Sequence, residues 1–292
     1  MPAIASSPRN RLALIALLVG GAAIGGSPIF VRLSEVGPMA TAFWRVSLAL
    51  LPFFLVSQVT ERGEVRPQGL RDYFFLMLPG VALACDLATW HLSLHMTSVA
   101  NATLLANLAP IFVTLGSWLI FRTRITPVFL MGLALALAGV VVLKGGPAAL
   151  GGGTLGGDMT AVVAAFFYAC YILSLGRLRA RFSTMRIMVW TTFSAALCIL
   201  PLALILEADL MPVTLFGWAM LVGLAFISHV GGQGLVTYAL AYLPTAFSSL
   251  TLLLQPVVAA ILAWVLLAEP VSILQAVGGA IVLVGILVAR RG

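Results

Sequence analysis

Apolar runs of about 20 residues follow one another along almost the whole chain, separated by short clusters of charge, glycine and proline. An α-helix needs about 20 apolar residues to cross the hydrocarbon core of a bilayer. The predicted fold class is therefore an all-α integral membrane protein, with almost no chain left for a soluble domain. We predict ten transmembrane helices, at residues 11–32, 38–58, 72–94, 98–121, 125–144, 157–176, 186–206, 215–240, 244–266 and 270–289.

The composition agrees with this class and excludes others. Hydrophobic residues make up 62% of the 292 residues and charged residues 9%, whereas a soluble domain has about 25% charged residues. The net charge of +7 is interpreted as a topology signal, so no nucleic-acid partner is expected. His91 and His95 have the spacing of zinc ligands, but no Glu or Cys completes a site. The expected partners are the lipid bilayer and a small-molecule substrate of a monomeric protein, with no cofactor or metal.

Arginines and lysines are distributed unevenly between the two sets of connecting segments. If the amino terminus is cytoplasmic, the inside segments hold 13 arginines and the outside segments hold only Arg32 and Lys144. Segments rich in Arg and Lys stay in the cytoplasm. The sequence therefore predicts a multi-pass protein of the cytoplasmic (inner) membrane with both termini cytoplasmic.

Several proline, tryptophan and glycine residues of the first half recur in the second half at a spacing of 146 residues. Residues 1–146 and 147–292 are therefore predicted to be two copies of one five-helix unit. Because five is odd, the second copy crosses the membrane in the opposite direction, and such inverted repeats are typical of alternating-access transporters. The matched pairs are Pro110 with Pro256, Trp118 with Trp264, Gly132 with Gly278, and Gly139 with Gly285.

These residues belong to a longer pattern that is shared with a known family. The pattern resembles the repeat signature of the drug/metabolite transporter superfamily, EamA branch, over the whole chain. Within that branch the chain is similar to the YddG-type exporters of aromatic amino acids. It departs from the family at Gly20-Gly21, where a Trp is usual, and at Thr123, which stands where the second copy has Glu269. The segments that carry the resemblance are Ser98 to Pro110, Pro244 to Ser249, Leu254-Gln255-Pro256, Ala268-Glu269-Pro270, Gly157-Asp158 and Arg45.

The resemblance implies ten helices in two inverted-topology five-helix repeats around a central cavity. Spans 1, 3, 4, 6, 8 and 9 would surround the cavity, with spans 5 and 10 behind them. It also implies a secondary transporter that exports amino acids with aromatic or large apolar side chains, with methionine and threonine as further candidates. The alternative is a multidrug or lipophilic-cation exporter of the same superfamily. An intramembrane enzyme is disfavoured because the sequence has no nucleophile or metal-hydrolase motif.

Ionisable residues inside a span cost about 2.5–3.5 kcal/mol on insertion scales, which makes them candidates for function. The fork of donors on Arg45 suits a substrate carboxylate, and Asp86 suits an ammonium group or a proton. The alternative is structural: Arg45 stabilises helix ends, or Arg45 and Asp86 pair between helices. His91 and His229 are further candidates, since histidine titrates near physiological pH.

Neutral polar and aromatic side chains at similar depths extend the predicted substrate-binding set. Amides and the carbonyls freed by prolines suit hydrogen bonds to an amino-acid backbone, and aromatic rings suit stacking. Hydrogen bonding between helices and aromatic packing are the alternatives. These candidates are Trp90, Asn101, Asn107, Tyr168, Tyr171, Gln233, Tyr238 and Gln255.

Glycine and proline inside spans one, four, eight and nine predict weak points in those helices. A glycine destabilises a helix interior by roughly 1 kcal/mol, and exposed backbone in a membrane must face protein or water. We interpret the weak points as hinges or substrate-facing backbone, with close helix packing as the alternative. The predicted hinge residues are Gly25, Gly26, Pro28, Pro110, Gly231, Gly232 and Pro256.

Overall fold

The computed structural model describes residues 7–60, 65–146, 154–268 and 270–292, and every regular element in these ranges is a helix. The predicted spans 125–144 and 270–289 form apolar helices of 17 residues each, at the short end of the membrane-crossing range. The all-α membrane class is confirmed, and the count of ten crossings stays a prediction. Eight described segments are long and apolar enough to cross a membrane: Pro8–Arg32, Pro38–Thr60, Leu70–Trp90, Asn101–Phe121, Leu155–Leu178, Thr184–Leu206, Leu215–Ala239 and Thr245–Leu267.

The described chain forms fourteen α-helices, with one π-helix between the tenth and the eleventh. They are α1 (Pro8–Gly25), α2 (Ser27–Arg32), α3 (Pro38–Thr60), α4 (Leu70–Leu94), α5 (Val99–Ala106), α6 (Ala109–Phe121), α7 (Pro127–Leu143), α8 (Leu155–Leu178), α9 (Thr184–Leu206), α10 (Leu215–Gly223), the π-helix (Leu224–Gln233), α11 (Gly234–Ala239), α12 (Thr245–Thr251), α13 (Leu254–Leu267) and α14 (Ile273–Ala289).

Serine and threonine side chains fix the start of several helices. The hydroxyls of Thr126, Ser183 and Ser272 each accept a hydrogen bond from the backbone N–H three residues later. Such bonds satisfy a donor that has no partner inside the helix. Since Thr126 precedes α7 and Ser272 precedes α14, these two helices begin in the same way.

Three membrane-length segments are interrupted close to the glycines and prolines predicted as weak points. The first is divided at Gly26, the fourth at Asn107–Leu108, and the last at Leu252–Leu253. Pro110 and Pro256 lie in the first turn of the helix that follows the break, where a missing N–H costs no hydrogen bond. The helices are therefore interrupted at these points, and hinge motion there stays a prediction.

Helices of the two halves share their bounds at a constant offset. Helices α3 and α9 both have 23 residues, and α7 and α14 both have 17, with both ends of each pair 146 residues apart. The spacing found in the sequence therefore extends from single residues to whole helices.

Helices α7 and α14 pack closely in antiparallel directions. Gly132 of α7 lies against the backbone of Ala289, and Gly278 of α14 lies against the backbone of Leu143. Further along, Gly139 lies against Val282, so rising numbers in α7 meet falling numbers in α14. A side chain at these glycines would overlap the neighbouring backbone, which explains why close packing requires glycine here.

Two groups of helices meet around the centre of the molecule. Helix α1 packs against the π-helix, α11 and α13, while α4 packs against α8 and α9. Helix α3 joins the groups by packing against both the π-helix and α9. A cavity between the two groups is lined by residues of α1, α2, α3, α4, α8, the π-helix and α13.

Candidate functional site

A cavity of about 400 Å³ lies between the two groups of helices. Its walls come from both halves of the chain, as expected for a site at a repeat interface. Arg45, Asp86, Trp90, Tyr168, Gln233 and Gln255 of the predicted binding set line it, as does Pro28 of the predicted hinges. The other lining residues are Ile24, Ser27, Val31, Arg32, Pro38, Thr41, Ala42, Leu83, Leu87 and Leu224.

Helical periodicity explains why these residues share the cavity. Leu83, Asp86, Leu87 and Trp90 recur at the spacing of one face of α4. Pro38, Thr41, Ala42 and Arg45 form the corresponding face of α3. Each helix therefore has one face towards the cavity, and that face carries both its charged residue and the apolar neighbours.

Arg45 and Asp86 face the same cavity without forming an ion pair. Their charges are close enough to interact, but no nitrogen–oxygen distance between them falls within 4.0 Å. The Nε atom of Arg45 is buried and has no hydrogen-bond partner. The direct Arg45–Asp86 pair considered as an alternative is therefore absent in this conformation. Opposite charges in one poorly solvated space favour a ligand that supplies a charge to each.

Gln233 is oriented by Tyr171 from behind the cavity wall. The Tyr171 hydroxyl donates a hydrogen bond of 3.0 Å to Oε1 of Gln233, and Tyr171 is fully buried. With its oxygen engaged, Gln233 presents its amide nitrogen, a donor, to the cavity that it lines. Tyr171 thus belongs to the site as a positioning residue and not as a lining residue.

Gln255 and Tyr168 line the cavity together. The Tyr168 hydroxyl faces the side chain of Gln255, and Nε2 of Gln255 is buried without a hydrogen-bond partner. The Ser27 hydroxyl, which also lines the cavity, is likewise buried without a partner. Unsatisfied buried donors are costly, so these groups favour a ligand with oxygen acceptors.

Among the residues that the structure describes, the lining of the cavity extends to one end of the helix bundle. Its lining runs out to Arg32 and Pro38, which flank the short connection between α2 and α3. Further along the helices in the other direction, Leu17, Leu175 and Leu250 are fully buried. The described lining of the cavity therefore lies towards one face of the protein.

Two predicted site residues, Asn101 and Asn107, form hydrogen bonds to other parts of the protein away from the cavity. The Asn101 amide donates a hydrogen bond of 3.3 Å to Oδ1 of Asp158, which also accepts one of 2.6 Å from the Thr97 hydroxyl. Asn107 donates through Nδ2 to the carbonyl of Thr103 at the end of α5. Neither lines the cavity, so the structure favours the alternative of hydrogen bonding within and between helices for both.

His229 and Tyr238 also lie away from the cavity. His229 is fully buried in the π-helix, with Nε2 at 3.1 Å from the Thr192 hydroxyl and Nδ1 without a partner. Tyr238 packs on Tyr242, with ring centroids 5.2 Å apart. The side chain of His91 lies outside the described part of the protein. In that part, no group of three or more His, Cys, Asp or Glu side chains is placed to hold a metal ion.

The predicted hinge glycines have two kinds of surroundings. Gly25 lies against the backbone of Gln255, and Gly232 lies against Ile24 and the Gly20 carbonyl, so both allow close helix packing. Gly26 forms the break in span one, and Gly231 has few neighbours inside the π-helix. π-helical turns are frequent at functional sites. The sequence analysis found the glycines but did not predict the π-helix.

Two glutamates that the sequence analysis did not single out join the loops near the cavity mouth. Glu35 accepts hydrogen bonds from the backbone N–H groups of Val213 and Thr214 and from the Thr214 hydroxyl, at the start of α10. Glu207, at the end of α9, accepts from the N–H groups of Met39 and Ala40 in α3. Hydrogen bonding, led by the Thr214 hydroxyl, lowers the pKa of Glu35 below its usual value. The signal in the sequence is an acid close to a predicted helix end in each case: Glu35 precedes span 38–58, and Glu207 follows span 186–206.

Comparison with known proteins gives consistent results. The sequence profile of the EamA-like transporter family matches residues 11–144 and 155–291. A protein of Archaeoglobus fulgidus named "uncharacterized transporter" is 28% identical over 89% of this chain and 91% of its own length. A protein of Streptantibioticus cattleyicolor named "probable terminal-alkyne amino-acid exporter" is 27% identical over 81% of each chain. A crystal structure of a protein with 21% identity covers 94% of this chain and 96% of its own with a TM-score of 0.79, which shows a shared fold.

Proposed function

Because the chain belongs to the EamA-like transporter family, we propose that it exports a free amino acid with an aromatic or large apolar side chain across the cytoplasmic membrane. The observation that carries this proposal is the placement of Arg45 and Asp86, unpaired, in one cavity. An amino acid is a zwitterion, so its carboxylate pairs with Arg45 and its ammonium group pairs with Asp86. One bound molecule then satisfies both charges.

The neutral donors support the same orientation. Gln233 presents its amide nitrogen to the cavity, and Gln255 has a buried donor without a partner. These donors suit carboxylate oxygens and add to the bidentate bonding that a guanidinium provides. The carboxylate is therefore assigned to Arg45 and the two amides, with the ammonium group at Asp86.

The rest of the cavity suits an apolar side chain. Leu83, Leu87 and Ala42 lie on the same helix faces as the two charges, and Trp90 adds an aromatic surface. An apolar pocket with a few fixed polar groups is the usual form of a small-molecule site. The similarity to a protein named as an amino-acid exporter supports this substrate class.

Transport would follow from alternating exposure of the cavity by two inverted repeats, residues 1–146 and 147–292. The constant offset of 146 residues between helix bounds and the antiparallel packing of α7 and α14 support such repeats. With both termini cytoplasmic, the open end at Arg32 and Pro38 faces the outside. The described conformation is then the outward-facing end of the cycle, and a monomer contains the whole pathway.

A lipophilic cation is the second candidate substrate. Asp86, Trp90 and Tyr168 line the cavity together, and an acid beside aromatic faces attracts organic cations. The two candidates differ in their use of Arg45, which a carboxylate requires and a cation does not.

Counterflow in proteoliposomes separates the two candidates. Vesicles are loaded with unlabelled phenylalanine, methionine or threonine, or with tetraphenylphosphonium, and entry of the labelled compound is followed with and without a pH gradient. Exchange of amino acids supports the proposal, and exchange of the cation alone contradicts it. Vesicles without protein are the control.

A further inference from the structure

A groove of about 870 Å³ lies on the protein surface, between the end of α6 and the start of α7. Arg122 and Arg124 stand at one end of it, and both are exposed. Within the described residues, neither forms an ion pair with a carboxylate within 4.0 Å. The groove therefore combines two available cations with space for a ligand, well apart from the central cavity.

The surroundings of the groove increase its positive charge. Gly292 lies against Thr126 and Phe129 at the start of α7, which brings the chain end with Arg290 and Arg291 to the same rim. The sequence contains no acidic residue between Asp86 and Asp158. Four arginines therefore lie near this end of α7, and two of them, Arg122 and Arg124, line the groove.

The other end of the groove is apolar and faces outward. Trp118 is 57% exposed, Leu119 70% and Leu130 49%, and all three line the groove. Side chains of this kind on a membrane helix contact acyl chains, and tryptophan favours the level of the lipid headgroups. The groove is therefore cationic at the membrane surface and apolar towards the membrane interior.

The second repeat provides an internal comparison. The equivalent turn, 146 residues later, has Ala268 and Pro270 in place of the two arginines, while Trp264 is exposed to nearly the same extent as Trp118, at 56% against 57%. Because α7 and α14 are antiparallel, the two turns lie at opposite ends of this helix pair. Both turns thus expose a tryptophan to nearly the same extent, and the two arginines are present at the first turn but replaced at the second.

We propose that the groove at Arg122 and Arg124 binds an anionic phospholipid, with its phosphate on the two guanidinium groups and an acyl chain along Trp118, Leu119 and Leu130. Guanidinium groups bind phosphate oxygens in bidentate fashion. Basic pockets on the cytoplasmic side of membrane proteins bind anionic headgroups. This site does not depend on the substrate of the central cavity.

The test uses tryptophan quenching by brominated lipids in nanodiscs that hold the full chain. The Trp118 signal is the difference between the parent and Trp118→Phe, and the Trp264 signal is the difference between the parent and Trp264→Phe. Brominated phosphatidylglycerol and brominated phosphatidylcholine are compared at equal mole fractions. Since each basic residue near an anionic surface contributes about fivefold, Trp118 should prefer phosphatidylglycerol by up to about 30-fold and Trp264 by none.

Three double variants make the test specific. Replacing both arginines, as Arg122→Gln with Arg124→Gln, should abolish the preference at Trp118, whereas Arg66→Gln with Arg71→Gln, which removes two arginines outside the groove, should leave it. Conversely, Ala268→Arg with Pro270→Arg should create a preference at Trp264. Equal lipid preference at the two tryptophans in the parent overturns the proposal. So does an equal loss of the Trp118 preference in the Arg122/Arg124 and Arg66/Arg71 double variants, which would indicate diffuse attraction to the lipid surface.

Discussion

Arg122 and Ala268, 146 positions apart, are the two non-glycine residues with positive φ in the described part of the protein, at 51° and 54°. Each follows the last residue of a helix and donates its backbone N–H to a carbonyl five residues earlier, Ser117 for Arg122 and Ala263 for Ala268. A left-handed residue other than glycine is uncommon and is maintained by its surroundings. The same strained helix end in both halves is strong support for a duplicated unit.

Adjacent glycines of α14 should respond oppositely to substitution. A Cβ at Gly278 would overlap the backbone of Leu143, whereas the nearest atom to a Cβ at Gly279 is Cγ1 of Val257 at 3.4 Å. We expect Gly278→Ala to destabilise the protein by about 1–3 kcal/mol through overpacking. Gly279→Ala is the matched control and should be neutral or stabilising. The measurement is the Tm in detergent, and equal Tm values for the two variants would contradict the described packing.

Arg45 and Asp86 should be separable by substrate chemistry. Hydrogen bonds to charged groups contribute about 1.5–3 kcal/mol, so Arg45→Gln should lower kcat/KM for an amino acid by about 10- to 100-fold. Asp86→Asn should lower it similarly by removing the partner of the ammonium group. Initial rates of counterflow at several substrate concentrations provide the measurement. Full transport by folded Arg45→Gln would show that Arg45 is structural, and full transport by folded Asp86→Asn would remove Asp86 from the site.

Tyr171 should act only through Gln233. Removing its hydroxyl in Tyr171→Phe leaves the Gln233 amide free to rotate, so KM should rise about 5-fold, which corresponds to about 1 kcal/mol, a typical net hydrogen-bond contribution. In Gln233→Leu the same Tyr171→Phe change should have no further effect on KM. This double-mutant cycle measures the coupling between the two residues. Additive effects would mean that Tyr171 acts by another route.

Glu35 should make the stability of the loops near the cavity mouth depend on pH. Its pKa is lowered by hydrogen bonding from the Thr214 hydroxyl first and then from backbone N–H groups, so its contribution is present above the usual value of 4.5 and is lost as pH falls through the lower folded-state value. The parent should therefore have a higher Tm than Glu35→Gln at neutral pH, and the difference should disappear in acid. A difference that stays constant down to acid pH would contradict the role of the ionised carboxylate.

The helices and their register could be predicted because they depend on local pattern. Long apolar runs identify membrane helices from composition, and the offset between Gly132 and Gly278 or between Gly139 and Gly285 is visible in the letters alone. The same holds for Asp86 and Trp90, which share a helix face through their spacing. The central charges of the candidate site were therefore identified without coordinates.

Other parts of the site depend on contacts between distant segments. Whether Asn101 faces a substrate or Asp158, and whether His229 faces the cavity or Thr192, is decided by helix rotation and packing, which an amphipathic pattern does not fix when both faces are apolar. The link from Tyr171 to Gln233 joins residues 62 positions apart. The π-helix around His229 also lacks a sequence signature, since its wider turn depends on neighbouring helices.

The most direct test is counterflow by the parent protein with phenylalanine, its methyl ester and its N-acetyl derivative as internal substrates, each against labelled phenylalanine outside. The ester lacks the carboxylate that Arg45 would bind, and the N-acetyl compound lacks the ammonium group that Asp86 would bind. We predict that only free phenylalanine drives uptake of the label. Uptake driven equally well by the ester or by the N-acetyl compound would contradict recognition of the zwitterion between Arg45 and Asp86.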